Sequence, residues 1–331
     1  MNILWSLLPV LVFLLALYYL DSFKLVSKKL LSLLFLSGIV ISFWAYPINN
    51  LTTFIPFSKA VNYRLIYPLI EEILKFIPIF WIYKKGKSGF IIDSMIYGFA
   101  VGTGFGLSEN IYYFLEGGVT DVAHNVVRGF GTAMMHAASC SISSMLLIYF
   151  NDTKKLHLSK SIFLAVIPAF LMHSFYNSFF LPPLVQTISI LIIFVTAVYL
   201  IFSENEKSVH KWIEEEFDSE IMLIQEFNSG NLKETQTGKY INEIKSRFSP
   251  FIVFDMLCLI GLSLELSIQA KVILMLQNNE LDIPYDAELD SKIKEYYALQ
   301  KNIGITGMSA LSPVLKISRK ELWKISKLRN R

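Results

Sequence analysis

The chain has 331 residues, of which 53% are hydrophobic and 17% are charged. Soluble domains average about 45–50% hydrophobic and about 25% charged residues. Residues 1–202 hold 13 basic and 8 acidic side chains, whereas the shorter segment 203–331 holds 17 basic and 19 acidic side chains. The charged residues are therefore concentrated in the C-terminal part. This distribution excludes a single soluble globule, a disordered chain and a fibrous repeat. The net charge of +3 is too small to indicate a nucleic-acid partner, and two cysteines cannot build a disulfide framework.

Seven apolar stretches are long enough to cross the bilayer core, which requires about 20 helical residues. They cover residues 3–20, 30–46, 64–83, 91–115, 129–150, 161–180 and 184–202. The first lacks a basic stretch before it and a small-residue cleavage site after it, so we expect an anchor helix and not a removed signal peptide. The sequence predicts an all-α, polytopic membrane protein with about seven transmembrane helices.

Successive loops between the predicted spans alternate between many and few basic residues. Loops 21–29, 84–90 and 151–160 together hold nine lysines, while the loops on the other side hold three basic residues, Lys59, Arg64 and Arg128. The positive-inside rule therefore predicts a multi-pass protein of the cell membrane with its N-terminus outside and its C-terminal part in the cytoplasm.

Beyond the predicted membrane domain, residues 203–331 have the composition of a soluble helical extension, whose role the sequence does not indicate. Segment 251–276 is long and apolar but contains three charged residues, which favours a buried helix over an eighth span. Residues 316–331 carry seven basic residues and one acidic residue. This pattern is typical of a solvated helix face, with contact to anionic lipid as the alternative.

Ionisable side chains inside the predicted spans are few, and each costs about 2.5–3.5 kcal/mol at a helix centre, so they are functional candidates. The polar candidates are Glu71, Glu72 and Lys75 in the third span, Asp93, Glu109 and Asn110 in the fourth, His136 in the fifth, and His173 and Asn177 in the sixth. Asp93 lies near the cytoplasmic end of its span and is interpreted as structural.

Four of these side chains share one predicted depth. Glu71, His136 and His173 each lie seven residues from the outer end of their spans, and Glu109 lies about six. At 1.5 Å per residue, all four lie about 10 Å below the same membrane face. We expect four different helices to converge there on one polar site. Glycines 98, 102 and 106, on the span that carries Glu109, form a small-residue stripe that lets a neighbouring helix approach closely.

These residue types form a set suited to hydrolysing a peptide bond. Two adjacent glutamates near a lysine can hold one charge and one proton between them and act as a general base toward water. Imidazoles and an amide can stabilise the oxyanion that forms on the attacked carbonyl. Two histidines and a carboxylate are also a common catalytic zinc set, so Glu72, His136 and His173 are candidate ligands of a divalent metal such as zinc, although no HExxH motif is present.

The same residues resemble the PrsW family of intramembrane proteases, which is distantly similar to the CAAX-protease and bacteriocin-immunity membrane family. The resemblance covers roughly residues 60–180 and is carried by Glu71-Glu72-Ile-Leu-Lys75-Phe76, Gly106-Leu-Ser-Glu109-Asn110-Ile-Tyr112-Tyr113, His136 and His173-Ser-Phe-Tyr-Asn177. It implies a multi-pass endopeptidase that cuts a membrane-anchored protein, such as an anti-sigma factor, near the extracytoplasmic face.

By matching position, the resemblance also assigns roles. It implies catalytic Glu71, Glu72, His136 and His173, supported by Lys75, Glu109, Asn110 and Asn177, with Asn177 assisting the oxyanion. The related CAAX enzymes suggest glutamate-activated water without metal, while PrsW proteases have often been labelled metalloproteases, so the requirement for metal stays open. The implied partners are a membrane-protein substrate and the lipid bilayer, and the oligomeric state is not indicated.

Other interpretations compete with a protease. A proton- or cation-coupled transporter would use the same acids as a relay, although no repeated half with interrupted helices, common in transporters, is visible. A sensor scaffold would signal through residues 203–331. At the level of single residues, the glutamate pair and its lysine could form a structural ion pair, and Glu109 could only lock helices through Tyr112 or Tyr113.

Overall fold

The structure is a computed structural model that describes residues 3–21, 25–54, 57–117, 121–279, 281–282 and 288–315. Within these ranges almost every residue is helical and no strand occurs, which confirms the all-α prediction. The predicted basic segment 316–331 lies outside the described residues. The chain forms two compact units, Met1–Asn205 and Glu206–Arg331.

The first unit is built from helices that follow the predicted spans closely. They are α1 (Leu4–Leu20), α2 (Lys28–Leu51), the short α3 (Lys59–Val61), α4 (Tyr67–Lys84), α5 (Ile91–Leu115), the short α6 (Val122–Val127), α7 (Met134–Ile148), α8 (Leu158–Asn177) and the start of α9 (Pro183–Asn228). π-Helical turns join α3 to α4, join α6 to α7 and extend α7 to Thr153. Helix α9 continues past residue 202, where the sequence predicts the end of a span.

Six helices of the described part of the chain are long and apolar enough to cross a membrane. They are α2, α5, the continuous helix Val122–Thr153, α8, the first part of α9 (Pro183–Glu204) and Pro250–Gln277, with Leu4–Leu20 as a shorter apolar helix. This confirms a polytopic membrane protein. Helix α4 is not among the six, because its 18 residues include four charged side chains.

Helix α5 forms the centre of the first unit, with 89% of its most apolar window buried. The predicted glycine stripe faces α7, because Cβ atoms built on Gly98, Gly102 and Gly106 would lie under 3.0 Å from α7 or the turn before it. At Gly102 the neighbouring backbone is that of His136 and Ala137. Close backbone packing thus brings the helix that carries Glu109 against the helix that carries His136.

Asp93 caps the beginning of α5. Its carboxylate accepts hydrogen bonds from the amides of Gly89 (2.9 Å) and Phe90 (3.0 Å) and from the Ser88 hydroxyl (3.1 Å). These bonds satisfy donors that a helix N-terminus leaves free. The contacts agree with the structural interpretation of this buried acid.

The second unit contains the end of α9, then α10 (Gln236–Ile244), α11 (Pro250–Asn278) and α12 (Leu289–Leu315). Helices α11 and α12 pack through an apolar core that includes Leu259, Leu266 and Tyr296. Helix α11 is long and apolar enough to be a span. Two of its charges nevertheless pair inside this unit, Lys271 with Glu220 (2.9 Å) and Glu265 with Lys292 (2.5 Å). These pairs support the prediction of a buried helix, which stays a prediction.

Candidate active site

Glu72 is the most heavily bonded acid of the first unit. The residue is only 2% exposed, and its Oε1 accepts hydrogen bonds from Lys75 Nζ (2.5 Å), His173 Nδ1 (2.8 Å) and Ser139 Oγ (3.1 Å). These donors come from α4, α8 and α7 respectively. A buried carboxylate needs such compensation for its lost hydration. Glu72 is therefore held as an anion in one fixed position.

His136 lies between Lys75 and Glu109. Its Nδ1 is 3.1 Å from Lys75 Nζ, and its Nε2 is 2.6 Å from Glu109 Oε2. A lysine ammonium only donates hydrogen bonds, so Nδ1 accepts and the ring proton is on Nε2, which donates to Glu109. The contacts thus select the neutral Nε2–H tautomer of His136.

Lys75 places a positive charge at the centre of this cluster. Its side chain is fully buried, and its ammonium lies 4.9 Å from the centroid of the Phe105 ring, within the range of a cation–π contact. The predicted pairing of Lys75 with the glutamates of α4 is therefore realised with Glu72, three residues earlier on the same helix.

Glu71 has a different environment from its neighbour. Its Oε1 accepts a hydrogen bond from Asn49 Nδ2 of α2 (2.9 Å), and its Oε2 lies 3.8 Å from His173 Nε2. Its side chain is 13% exposed, compared with 1% for Glu72. His173 thus lies between the two acids, donating through Nδ1 to Glu72 and facing Glu71 with Nε2. One water can bridge a gap of this kind.

The two histidines are direct neighbours. The ring centroids of His136 and His173 are 4.7 Å apart, and the rings meet edge to face at 84°. The first ring is carried by α7 and the second by α8, so two of the helices that were expected to converge meet at this point.

Glu109 is the more accessible acid on the other side of His136. Its side chain is 24% exposed, and its Oε1 lies 3.5 Å from Arg128 Nη2. The Arg128 guanidinium also stacks 4.2 Å from the centroid of the Tyr113 ring. The Tyr112 hydroxyl donates to Glu116 (2.6 Å) and not to Glu109, so the described contacts do not show the tyrosine lock considered for Glu109.

The two asparagines predicted to support the site make other contacts. Asn110 Nδ2 donates to the Ser6 carbonyl (2.8 Å), and its Oδ1 accepts from Arg128 Nε (3.0 Å). Asn177 Nδ2 donates to the Tyr63 carbonyl (3.4 Å). Asn110 therefore fixes α1 and Arg128, and neither amide contacts the glutamate pair or the histidines among the described residues.

Three residues of the site were not proposed from the sequence. Ser139 lies three residues after His136, a spacing that puts both side chains on one helix face. Asn49 belongs to the polar pair Asn49-Asn50, which follows the predicted span 30–46. The sequence presents Arg128 only as a basic residue in a loop. Each lies near a predicted site residue or span end, which was the available signal.

The three residues placed best to hold a metal ion differ by one residue from the three predicted as metal ligands. Glu71, His136 and His173 each offer a ligand atom, and these atoms lie within 4.8 Å of one another. The prediction named Glu72 in place of Glu71, but Glu72 Oε1 is already occupied by three donors. Two imidazoles and a carboxylate fit a catalytic zinc set. His136 would first have to release Lys75 or Glu109.

Acids and imidazoles converge here inside a polytopic helical domain, an arrangement that fits a membrane-embedded peptidase. A family model described as "PrsW family intramembrane metalloprotease" matches residues 26–202, which is more than half of the chain and includes the whole cluster. The chain belongs to the PrsW family of intramembrane proteases. No curated protein and no solved structure matches it significantly.

Proposed function

We propose that this protease is an endopeptidase that hydrolyses a peptide bond of a membrane-anchored protein, such as an anti-sigma factor, near the extracytoplasmic face, using glutamate-activated water. The observation that carries the proposal is the position of His173 between two unequal glutamates, with 2.8 Å from Nδ1 to Glu72 and 3.8 Å from Nε2 to Glu71. One acid is fixed as an anion and the other remains available for proton transfer.

Glu71 is the better candidate for the general base. Three donors already occupy Oε1 of Glu72, so this acid is committed to holding Lys75, His173 and Ser139 in place. Glu71 accepts from Asn49 only among the described hydrogen bonds, and its side chain is partly exposed. A water between Glu71 Oε2 and His173 Nε2 would give its proton to Glu71 as it attacks the carbonyl carbon. Glu71 would then pass that proton to the leaving amine.

The other side chains of the cluster would stabilise the oxyanion and orient the two histidines. Lys75 supplies a desolvated positive charge beside His136 and His173, where negative charge develops on the attacked oxygen. Glu72 holds His173 in one orientation, and Glu109 does the same for His136. Asn177, predicted to assist the oxyanion, would first have to leave the Tyr63 carbonyl.

A metal-dependent version is the second candidate, favoured by the geometry of Glu71, His136 and His173. A divalent cation held there would supply a more acidic water and polarise the substrate carbonyl. The Lys75 ammonium, 3.1 Å from His136 Nδ1, opposes a second cation at this place. We therefore favour the metal-free version.

The membrane orientation is part of the proposal and rests on loop charges. Nine lysines in three loops against three basic residues in the opposite loops support an outer N-terminus and a cytoplasmic second unit. In this orientation the cluster lies about 10 Å below the outer face.

Incubation of the purified protein with a panel of single-span membrane proteins, followed by mass spectrometry, tests the proposal. We expect fragments whose new ends map near the outer end of the substrate span, and none from the Glu71→Gln/Glu72→Gln variant. Flux of protons or cations into proteoliposomes that depends on the same glutamates, without cleavage of any substrate, would instead support the transporter.

A further inference from the structure

The second unit has an exposed aromatic tip, formed by Phe251 and Phe254, where α11 begins. Phe251 is 85% exposed and Phe254 is 66% exposed. They are three residues apart on the helix, so the two rings lie on the same face. Ile252 and Val253, between them, instead pack against the apolar core of the unit. Neighbouring exposed phenylalanines are typical of a surface that binds a membrane or another protein.

Two basic side chains directly precede this tip in the chain. Lys245 and Arg247 are both exposed and belong to the 3₁₀ turn before α11. Segment 244–254 contains no acidic residue. The unit as a whole has the opposite charge, because residues 203–315 hold 10 basic and 18 acidic side chains. The tip is therefore flanked by positive charge in an otherwise acidic unit.

The most basic stretch of the sequence follows from the same end of the unit. Gly307, in the second half of α12, lies against Met256, in the first half of α11, so the two helices run antiparallel. The described part of α12 ends at Leu315, about two turns further on, which is level with the first turn of α11. The sequence after Leu315, residues 316–331, carries seven basic residues and one acidic residue.

The exposure along α11 favours an anchored tip over a membrane span. Among the described residues of this helix, three large apolar side chains are exposed: Phe251, Phe254 and Val272. Helix α2, which is also apolar enough to span, exposes seven, namely Leu33, Leu36, Val40, Phe43, Trp44, Tyr46 and Leu51. A helix that crosses lipid needs apolar side chains along its whole length. Helix α11 presents such side chains mainly at its beginning.

We propose that the tip docks the second unit onto an anionic lipid surface, where Phe251 and Phe254 insert at the level of the headgroups. Lys245 and Arg247 contact the lipid phosphates. Apolar and aromatic side chains beside basic ones are the usual composition of a helix segment that binds the membrane interface, and anionic lipid attracts the basic pair. The inference goes beyond the proposed function and uses only its orientation, which places this unit on the cytoplasmic, anionic side.

A fluorescent label at the tip of the full-length protein tests the proposal. Phe251→Cys carries a dye that emits at shorter wavelength in apolar surroundings, and Cys258→Ala removes the partly exposed native thiol. The protein is reconstituted into nanodiscs of phosphatidylcholine, alone or mixed with phosphatidylglycerol. We expect apolar emission in the mixed discs and emission as in water in the neutral discs or in high salt. The same dye on Leu281→Cys, an exposed position at the other end of α11, should show no such dependence.

Matched variants identify the side chains that hold the tip on lipid. Each basic residue at an anionic surface contributes about fivefold to binding, so Lys245→Ala/Arg247→Ala should lower the docking equilibrium at least about tenfold in the mixed discs. Lys294→Ala/Lys301→Ala removes two exposed basic side chains of α12 and changes the net charge equally, but should leave the emission unchanged. Phe254→Ser should weaken docking without lowering the unfolding temperature, because this side chain is exposed.

Three results would overturn the proposal. Apolar emission from residue 251 in neutral discs, unaffected by salt and by the charge variants, would identify α11 as a membrane span. Emission as in water in every disc would show that the tip stays in solution. Efficient cross-linking between the residue-251 cysteines of two copies, equal in neutral and mixed discs, would identify a subunit interface. Each readout is independent of proteolysis, so failure here leaves the proposed function untouched.

Discussion

The Lys75 ammonium lies 3.1 Å from Nδ1 of His136, a residue 61 positions away in the sequence. This contact joins α4 to α7 and determines which nitrogen of the imidazole carries the proton. It also places a positive charge between Glu72 and His136. The chemistry of the site therefore depends on Lys75 as much as on the glutamates.

Removal of Lys75 alone should destabilise the protein and abolish cleavage. In Lys75→Met the anion of Glu72 loses its 2.5 Å partner, and breaking one side of a buried ion pair costs about 3–5 kcal/mol. The double variant Lys75→Met/Glu72→Leu removes both charges and should recover most of the stability without recovering activity. Thermal unfolding and cleavage of one substrate by the three proteins measure this. Activity in the double variant would show that the pair is only structural.

Arg128 should act as a positioning residue for Glu109. It contacts Glu109 Oε1 at 3.5 Å and Asn110 Oδ1 at 3.0 Å. A partly exposed ion pair contributes up to about 1 kcal/mol, and a loss of that size in the transition state lowers a rate about fivefold. We expect Arg128→Met to lower kcat by this factor with little change in KM. Lys59→Met, which removes an exposed charge from the same predicted side, is the control. Equal effects of both variants would mean that only the surface charge matters.

Substitution of Gly102 should disturb the site through the backbone. A Cβ there would lie 2.6 Å from Ala137 Cα and 2.7 Å from the carbonyl carbon of His136, so α5 and α7 must separate. Overpacking of this kind costs about 1–3 kcal/mol, and Gly102→Ala should lower both the unfolding temperature and the cleavage rate. Gly261→Ala in the second unit, where a Cβ would meet the Phe227 ring at 3.2 Å, should leave cleavage unchanged. An unaffected rate in Gly102→Ala would show that this approach tolerates a methyl group.

The second unit should be dispensable for the chemistry. Every residue of the cluster lies in Met1–Asn205, and the family match ends at residue 202. A chain of residues 1–205 should therefore cleave the same substrate at the same bond as the full protein. Thermal unfolding in detergent provides the folding control. A folded truncated protein without activity would show that the extension takes part, as the scaffold interpretation requires.

Much of this site was predictable because charge is costly in a membrane. Few side chains in the spans are ionisable, so the acids and histidines stood out, and loop charges placed Glu71, Glu109, His136 and His173 at one depth. The structure brings these four together. The spacing of Gly102 and its neighbouring glycines likewise predicted the close packing that it shows.

Other features could not be read from spacing. The i,i+4 relation of His173 and Asn177 puts them on one face, but α8 ends at Asn177 and the amide reaches the Tyr63 carbonyl. Adjacent Glu71 and Glu72 look alike in sequence, and contacts from other helices distinguish them. Asn49 donates to Glu71, while His173 and Ser139 donate to Glu72. Such differences arise from tertiary packing, which a single sequence does not encode locally.

The most direct test of the central claim compares Glu71→Gln with Glu72→Gln, with and without a metal chelator. Both variants and the wild type are reconstituted in lipid with one cleavable single-span substrate, and fragments are quantified by mass spectrometry. If Glu71 activates water, Glu71→Gln should keep the unfolding temperature of the wild type and lose at least about 100-fold in cleavage rate. Glu72→Gln should lose both stability and activity, and the chelator should leave wild-type cleavage unchanged. Undiminished cleavage by Glu71→Gln, or loss with chelator that zinc restores, would contradict the account.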